Sequence, residues 1–389
     1  MTVLVQKAAE LRPACPRPIT PNWTLNVANS SPRLREILLL CVTTWLVFFV
    51  IVVPLKGFLP AVDSFGDNPG YISAADAIQH WDFRNADTKH FWGLPYITAA
   101  LSTVLPISTR TALLLICWSG NLATVALAYW LWGPWIAGFF AVLNFTWLQF
   151  SFLGGAEPLF MALLLGSFVC SRHERWLPSA LLASLATTVR PLGFFVLLGI
   201  GVALLWRREW SRAILATAIG LGVGAAYVLP FTLHFGNAFL NVQRYQKSDW
   251  SGGRLLDWPF HAIFLGITAA VPWTNLVLSF VWIAFVFAAG ILVLRLRVYR
   301  AWWRETPVET VFAAAYFVFL YTYNSPEWVR TTFPRFAIPL LPFVLLAFER
   351  WIPKDRRVLW LVGAGSSILA AASAIGIRNL YAMLEKSLQ

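Results

Sequence analysis

The run Ile37–Leu55, ILLLCVTTWLVFFVIVVPL, decides how the rest of the chain is read. It carries no Asp, Glu, Lys, Arg or His over 19 residues and is bounded by Glu36 and Lys56. A bilayer's hydrocarbon core takes about 20 apolar residues of α-helix, so this run has the length and character of a membrane span. The run is not an isolated anchor, because similar stretches recur along the chain. Apolar runs cover approximately 36–55, 111–132, 134–153, 156–171, 176–190, 191–206, 211–232, 273–294, 307–323, 335–349 and 358–377. The predicted fold is therefore all-α, a polytopic transmembrane helical bundle of about eleven spans.

Composition agrees with that reading. Of 389 residues 58% are hydrophobic and only 12% charged, against about 25% charged in an ordinary soluble domain. Such a chain cannot clothe itself in a polar surface. The 21 Trp and 30 Phe suit a protein with two lipid interfaces, where Trp collects.

The net charge of +12 raises the question of nucleic acid, and its distribution answers it. Basic residues fall in short groups between apolar runs: Arg172 and Arg175; Arg207, Arg208 and Arg212; Arg295, Arg297, Arg300 and Arg304; Arg350, Lys354, Arg356 and Arg357. That recurrence is the positive-inside pattern of cytoplasmic loops, not the single basic face with stacking aromatics that binds nucleic acid. With the N-terminus inside, each of these groups lands on the cytoplasmic side. Residues Met1 to Arg35, polar and with Pro13, Pro16, Pro18 and Pro21, read as a disordered cytoplasmic tail. Cys15, Cys41, Cys117 and Cys170 have no partners at metal-ligand spacing, which argues against disulfides and structural zinc.

The same register puts two long segments outside, about Lys56 to Arg110 and about Leu233 to Trp273. Both are too short for a globular domain. The first is expected to hold interfacial helices, one beginning with Asn68 as N-cap and Pro69 in the first turn, with Tyr71, Ile72, Ala75 and Ile78 as its apolar stripe. The other helix of this first segment is Phe91 to Leu105, which holds Pro95 and is expected to lie on the membrane.

Ionisable groups at membrane depth are costly and usually have a task. Four positions stand out, all on the outer side of this topology. Asp67, in Asp63-Ser64-Phe65-Gly66-Asp67-Asn68-Pro69-Gly70-Tyr71, reads either as a general base at the membrane surface or as a helix-start anion. Glu157, in Gly154-Gly155-Ala156-Glu157-Pro158, sits in a minimal turn that needs no charge for solubility. If Asp67 and Glu157 meet, they suffice to share acid–base work or to bind a divalent metal; spacing alone leaves both readings open, beside that of an ordinary loop carboxylate. Arg190, in Thr188-Val189-Arg190-Pro191, and Arg335, in Pro334-Arg335-Phe336, each offer a bidentate fork to a phosphate or a snorkelling side chain. In the second outer segment Arg244, Lys247 and Arg254 lie near Trp250 and Trp258, suited to headgroups or sugar or to a plain interface. The five His show no metal-binding spacing, and no Walker A, GxGxxG or GxSxG motif is present.

The order of these motifs resembles that of the GT-C superfamily of membrane glycosyltransferases: a first span, Gly66-Asp67 with Tyr71, Glu157-Pro158-Leu159-Phe160, Arg190-Pro191-x-Gly193, then Pro334-Arg335-Phe336. Within it the chain is most similar to bacterial relatives of the GPI mannosyltransferases. The segment Gly236-Asn237-Ala238-Phe239 through Asp249-Trp250 to Pro259 also resembles a family loop. The resemblance implies a motif-bearing module over about 36–232 and C-terminal spans over about 233–389. It implies an inverting transfer of a sugar, mannose among the candidates, from a polyprenyl-phosphate donor to a lipid, glycan or protein acceptor on the outer face of a membrane, a bacterial inner membrane fitting best. By the same resemblance Asp67 is the base and Glu157 orients the acceptor or a metal. Arg190 and Arg335 neutralise the donor phosphate, and Tyr71, Arg244, Lys247 and Trp250 contact substrate. Asn68 stands where many relatives have a second acid, which weakens a metal pair. The competing reading is a polytopic transporter or lipid flippase, against which stand the scarcity of midplane carboxylates and the lack of two matching halves.

Overall fold

The computed structural model describes residues 31–83, 86–248, 250–267, 273–326 and 332–376. Residues 1–30, most of the expected N-terminal tail, lie outside the described residues. Among the described residues there is no strand, only one isolated antiparallel bridge between Leu256 and Tyr323. Each apolar run falls on helical segments as far as residue 376, the run 335–349 on two short helices separated by a 3-10 turn.

In chain order, α1 is Leu34–Lys56, followed by the short α2 (Phe58–Asp63), α3 (Asn68–His80) and α4 (Gly93–Val104) in the first long connection. Helix α5 (Thr109–Trp132) returns, and α6 (Pro134–Leu143) and α7 (Phe145–Leu153) follow as a pair bent by 77°. Then come α8 (Glu157–Arg172), α9 (Trp176–Val189), a 3-10 turn Pro191–Gly193, α10 (Phe194–Trp206) and α11 (Trp210–Phe235). The second long connection holds α12 (Leu240–Ser248) and α13 (His261–Ile267). The last group is α14 (Trp273–Arg295), α15 (Tyr299–Glu305), α16 (Pro307–Thr322), α17 (Phe333–Phe336), α18 (Leu341–Ala347) and α19 (Arg356–Ile375).

Five of these helices are long and apolar enough to cross a bilayer singly, six if the bent pair counts as one. Apart from α5, of whose most apolar stretch 56% is buried, their apolar faces point outward. In the most apolar stretch of α11 only 11% of residues are buried, and Ile214, Leu221, Leu229 and Leu233 are exposed. Leu39, Leu46 and Val50 on α1, Val281, Ile291 and Leu294 on α14, and Leu361 and Ile368 on α19 are exposed in the same way. Burial of apolar groups cannot account for helices this hydrophobic; a lipid solvent does.

The helices alternate between two polar ends. At one end lie the basic groups, tied by long-range pairs. Arg172 at the end of α8 donates to both oxygens of the buried Glu309 at 2.6 and 2.8 Å, and to the Leu131 carbonyl at 2.8 Å. Arg207 pairs with Glu174 at 2.7 Å, and Arg356 with Glu36 at 3.5 Å. At the other end Lys56 donates to the Ala374 carbonyl, and α8 begins with Glu157. With a rise of 1.5 Å per residue, the two ends of α8 stand about 24 Å apart.

Two expectations need correction. The run 134–153 is not one straight span, because the chain breaks at Asn144. This buried side chain accepts from the Thr146 and Trp147 amides, capping α7, and donates to the Pro334 carbonyl at 2.8 Å. Its neighbours are all apolar, so hydropathy alone does not reveal the break. Nor is Asn68 the cap of α3. Asp67 occupies that position, without a side-chain cap bond, and Asn68 is inside the helix and fully buried. The Asn68 amide donates instead to the carbonyls of Val62 at 2.9 Å and Leu153 at 2.8 Å, at the ends of α2 and α7.

Candidate active site

The turn from α2 to α3 carries Asp67, and Asn68 pins that turn against the C-terminus of α7. Two glycines then lead from α7 into α8. Gly154 (φ +108°) and Gly155 (φ +144°) take backbone conformations that a side chain resists. A Cβ on Gly155 would also lie 2.2 Å from the Phe150 ring and 2.9 Å from a Glu157 carboxylate oxygen. This passage delivers Glu157 to the first turn of α8, where the helix dipole favours its charge and burial leaves only 3% of its side chain exposed.

Arg190 caps α9 in an extended conformation just before Pro191, whose ring forbids continuation of the helix. Its guanidinium donates to Glu157 Oε1 and lies over the Phe336 ring at 5.5 Å. Arg335, on α17, donates to the same Oε1 through Nε and to Asp67 Oδ2 through Nη2 at 2.6 Å. Its guanidinium stacks on Phe150 at 4.3 Å. The Asn144–Pro334 bond holds α17 to the break between α6 and α7, so the broken helix positions both Phe150 and Arg335. Asp67 and Arg335, 268 residues apart in sequence, thus form a chain of charge that runs Asp67–Arg335–Glu157–Arg190.

The opposite side of Asp67 is closed by His90, which is not among the residues singled out from the sequence. His90 Nε2 lies 3.3 Å from Asp67 Oδ1, and His90 Nδ1 lies 3.0 Å from Asp87 Oδ2. The Tyr71 ring meets the imidazole edge-on, with centroids 5.3 Å apart. The approach requires Gly70, since a Cβ there would lie 2.5 Å from His90 Nδ1 and 2.6 Å from Asp87 Oδ2. Only the Asp87-x-x-His90 spacing hints at the pair, and it sits in a loop already rich in ionisable residues.

Three carboxylates, two guanidinium groups and one imidazole are therefore joined in this cluster. Burial by itself would raise the Asp67 pKa, but the charge of Arg335 and the hydrogen bonds from His90 and Arg335 outweigh it and hold the carboxyl far below the usual range. Burial likewise opposes a charge on His90, and hydrogen bonds to Asp67 and Asp87 overcome it, raising the imidazole to about 9. Asp87 is also lowered, because contact with His90 and the Lys89 and His90 amides outweighs its desolvation. Burial and the Asp67 charge push the Tyr71 phenol upward, so it keeps its proton.

The cluster is buried but reachable, since 29% of the Asp67 side chain remains exposed. It is also incompletely satisfied: Glu157 Oε2, Arg190 Nε and Asn68 Oδ1 are buried without a hydrogen-bond partner. Such atoms are costly in a protein interior unless something else engages them. Among the described residues no group of three or more His, Cys, Asp and Glu side chains is placed to hold a metal ion.

The residues expected from the second long connection sit apart. Lys247 and Trp250 line an open groove of about 590 Å³ with Gln243, Gln246, Gly252 and Gly253. Trp250 donates to the Tyr323 hydroxyl at 3.3 Å, and Arg244 is exposed. Among the described residues no hydrogen bond or ion pair joins these three to Asp67, Glu157, Arg190 or Arg335. The link is indirect: Asn241, on the same helix, donates to the His90 carbonyl at 2.8 Å, and Tyr245 stacks on Phe91.

This all-helical bundle, with its broken helix pair, has an ArnT-like fold. The comparison behind this is the crystal structure of ArnT from Cupriavidus metallidurans bound to undecaprenyl phosphate. The two chains are 13% identical over 88% of this chain and 77% of that one, with a TM-score of 0.50. The apo state of the same protein gives 15% identity over 87% and 76%, with a TM-score of 0.49. No protein-family model matches the sequence, and no curated protein matches it.

Proposed function

We propose that this chain is an integral membrane glycosyltransferase that moves a sugar from a polyprenyl-phosphate donor to an acceptor hydroxyl. The observation that carries the proposal is the Asp67–Arg335–Glu157–Arg190 chain of charge, gathered from four distant segments at the end of the bundle opposite the basic loops. An ArnT-like fold, in a protein whose relative was solved with undecaprenyl phosphate, supports the donor class. By the positive-inside pattern the cluster faces the outer side, periplasmic if the membrane is a bacterial inner membrane.

In this reading the acceptor oxygen attacks the anomeric carbon, the bond from that carbon to the phosphate oxygen breaks, and polyprenyl phosphate leaves with inversion. The acceptor's proton passes to Asp67. Arg190 and Arg335 compensate the charge on the departing phosphate. At rest both arginines are spent on carboxylates, and an Asp67 held by Arg335 is a feeble base. The donor phosphate competes for the same guanidinium groups, and as Arg335 turns to it, Asp67 becomes more basic. Donor binding and activation of the base are thereby coupled. Glu157, bound to both arginines through one oxygen, sets their positions. Mannose as the sugar, and a lipid, glycan or protein as the acceptor, follow from the sequence resemblance alone.

A transporter is the reading that the 77° break favours, since transporters build sites on discontinuous helices. Here the break is closed by the Asn144 cap and by the Pro334 carbonyl, and the unsatisfied carboxylate and guanidinium atoms, Glu157 Oε2 and Arg190 Nε, lie at the end of the bundle. The test is an assay of purified protein in nanodiscs with a panel of polyprenyl-phosphate sugars. Transfer by the wild type and its loss in Asp67→Asn are expected; full transfer by Asp67→Asn would remove Asp67 from the chemistry.

A further inference from the structure

The imidazole of His90 stands between two carboxylates, with Nε2 toward Asp67 Oδ1 and Nδ1 toward Asp87 Oδ2. A neutral imidazole has one N–H and one lone pair, so it would turn that lone pair on one of the two acids. Only the imidazolium satisfies both. The surroundings hold the ring in this position. Asp87 Oδ1 accepts from the Lys89 amide at 2.8 Å and the His90 amide at 3.3 Å. The Asp87 carbonyl accepts from the buried Trp92 indole at 2.8 Å, and Asn241 from α12 holds the His90 carbonyl. Tyr71 from α3 presents its ring edge, and Lys89 points away, over Tyr245 at 5.5 Å.

His90 and Arg335 hold different oxygens of Asp67, Oδ1 and Oδ2 respectively. If Arg335 leaves for the donor phosphate, Oδ2 is freed. Without another cation, Asp67 would then be a lone carboxylate among protein atoms, and burial would drive it to take up a proton. We propose that His90, braced by Asp87, is a positioning residue that keeps Asp67 ionised and oriented through Oδ1 while Oδ2 accepts the acceptor's proton. This rests on the glycosyltransferase reading. The proton on His90 does not move; the one transferred comes from the acceptor hydroxyl and ends on Oδ2.

The test uses the full chain in nanodiscs. In His90→Gln the acid limb of kcat should move up by a unit or more, so that at a pH below both limbs the variant keeps about tenfold less of its maximal kcat than the wild type does. The donor KM should hold within about threefold, because His90 does not touch the phosphate. A kcat profile of unchanged shape, whether at full or reduced height, would overturn the proposal. Histidine-selective carbon-13 NMR, with the His90 resonance identified by its loss in His90→Gln, reads the charge without turnover. Its midpoint should lie near pH 9 in the wild type and fall toward the ordinary range of about 6.5 in Asp87→Asn. A wild-type midpoint at the ordinary value would sink the proposal even if His90→Gln fails to fold. A wild type that titrates as expected but transfers no sugar would instead refute the glycosyltransferase reading.

Discussion

Each charged residue of the cluster is a local anomaly whose cost has to be met by a partner. Glu157 is the clearest case, at 3% exposure with two guanidinium groups on one oxygen. Removing one member of a buried ion pair typically costs about 3–5 kcal/mol, so Glu157→Gln should lower thermal stability as well as transfer, whereas Asp67→Asn, at a more exposed side chain, should lose transfer by about 10²-fold or more with a smaller loss of stability. A thermal-shift measurement beside the assay separates the two. Arg190→Ala should raise the donor KM more than it lowers kcat, since the phosphate is what it would bind. His90 gives a pH prediction with a definite sign. Its folded pKa, about 9, lies above the unfolded value of about 6.5. Its stabilisation is therefore complete below about pH 6.5 and lost as pH rises through about 9. The melting temperature of the wild type should fall over that window, and the fall should be shallower in His90→Gln.

At the scale of elements, the decisive feature is the break between α6 and α7. It turns one apolar run into a bracket that carries Phe150 beneath Arg335 and leads through Gly154 and Gly155 to Glu157. Asn144 caps one side of the break and grips Pro334 on the other. Asn144→Ala removes the cap, worth about 1 kcal/mol, and frees the segment before Arg335. The expected outcome is a modest loss of stability with a disproportionate loss of kcat. Asn144→Ser keeps a cap oxygen but is too short to reach the Pro334 carbonyl, and should recover stability without recovering kcat. Equal recovery of both would show that the Pro334 contact does not position Arg335.

Across the whole molecule, the helices alternate between a basic end and the end that holds the cluster, about 24 Å apart along α8. In the proposed orientation the basic end is cytoplasmic. In a background with Cys15, Cys41, Cys117 and Cys170 replaced by Ser, Arg244→Cys should react with an impermeant maleimide on intact cells, and Lys354→Cys only after permeabilisation. The reverse pattern would place the cluster in the cytoplasm and remove the outer-face donor from consideration.

The sequence alone determined the helices and four of the charged residues, because both signals are local. A run such as Ile37–Leu55 is apolar whatever it packs against, and a charge such as Arg190 between two apolar runs is conspicuous without any neighbour. It could not reveal His90 and Asp87, which lie in a polar loop where one more ionisable pair is unremarkable, or the break at Asn144, which the high mean hydropathy of the surrounding run conceals. Tertiary structure alone decided which charges meet. Ion pairing depends on distance in space, and the 268 residues between Asp67 and Arg335 are closed only when the packed helices bring both to one end of the bundle.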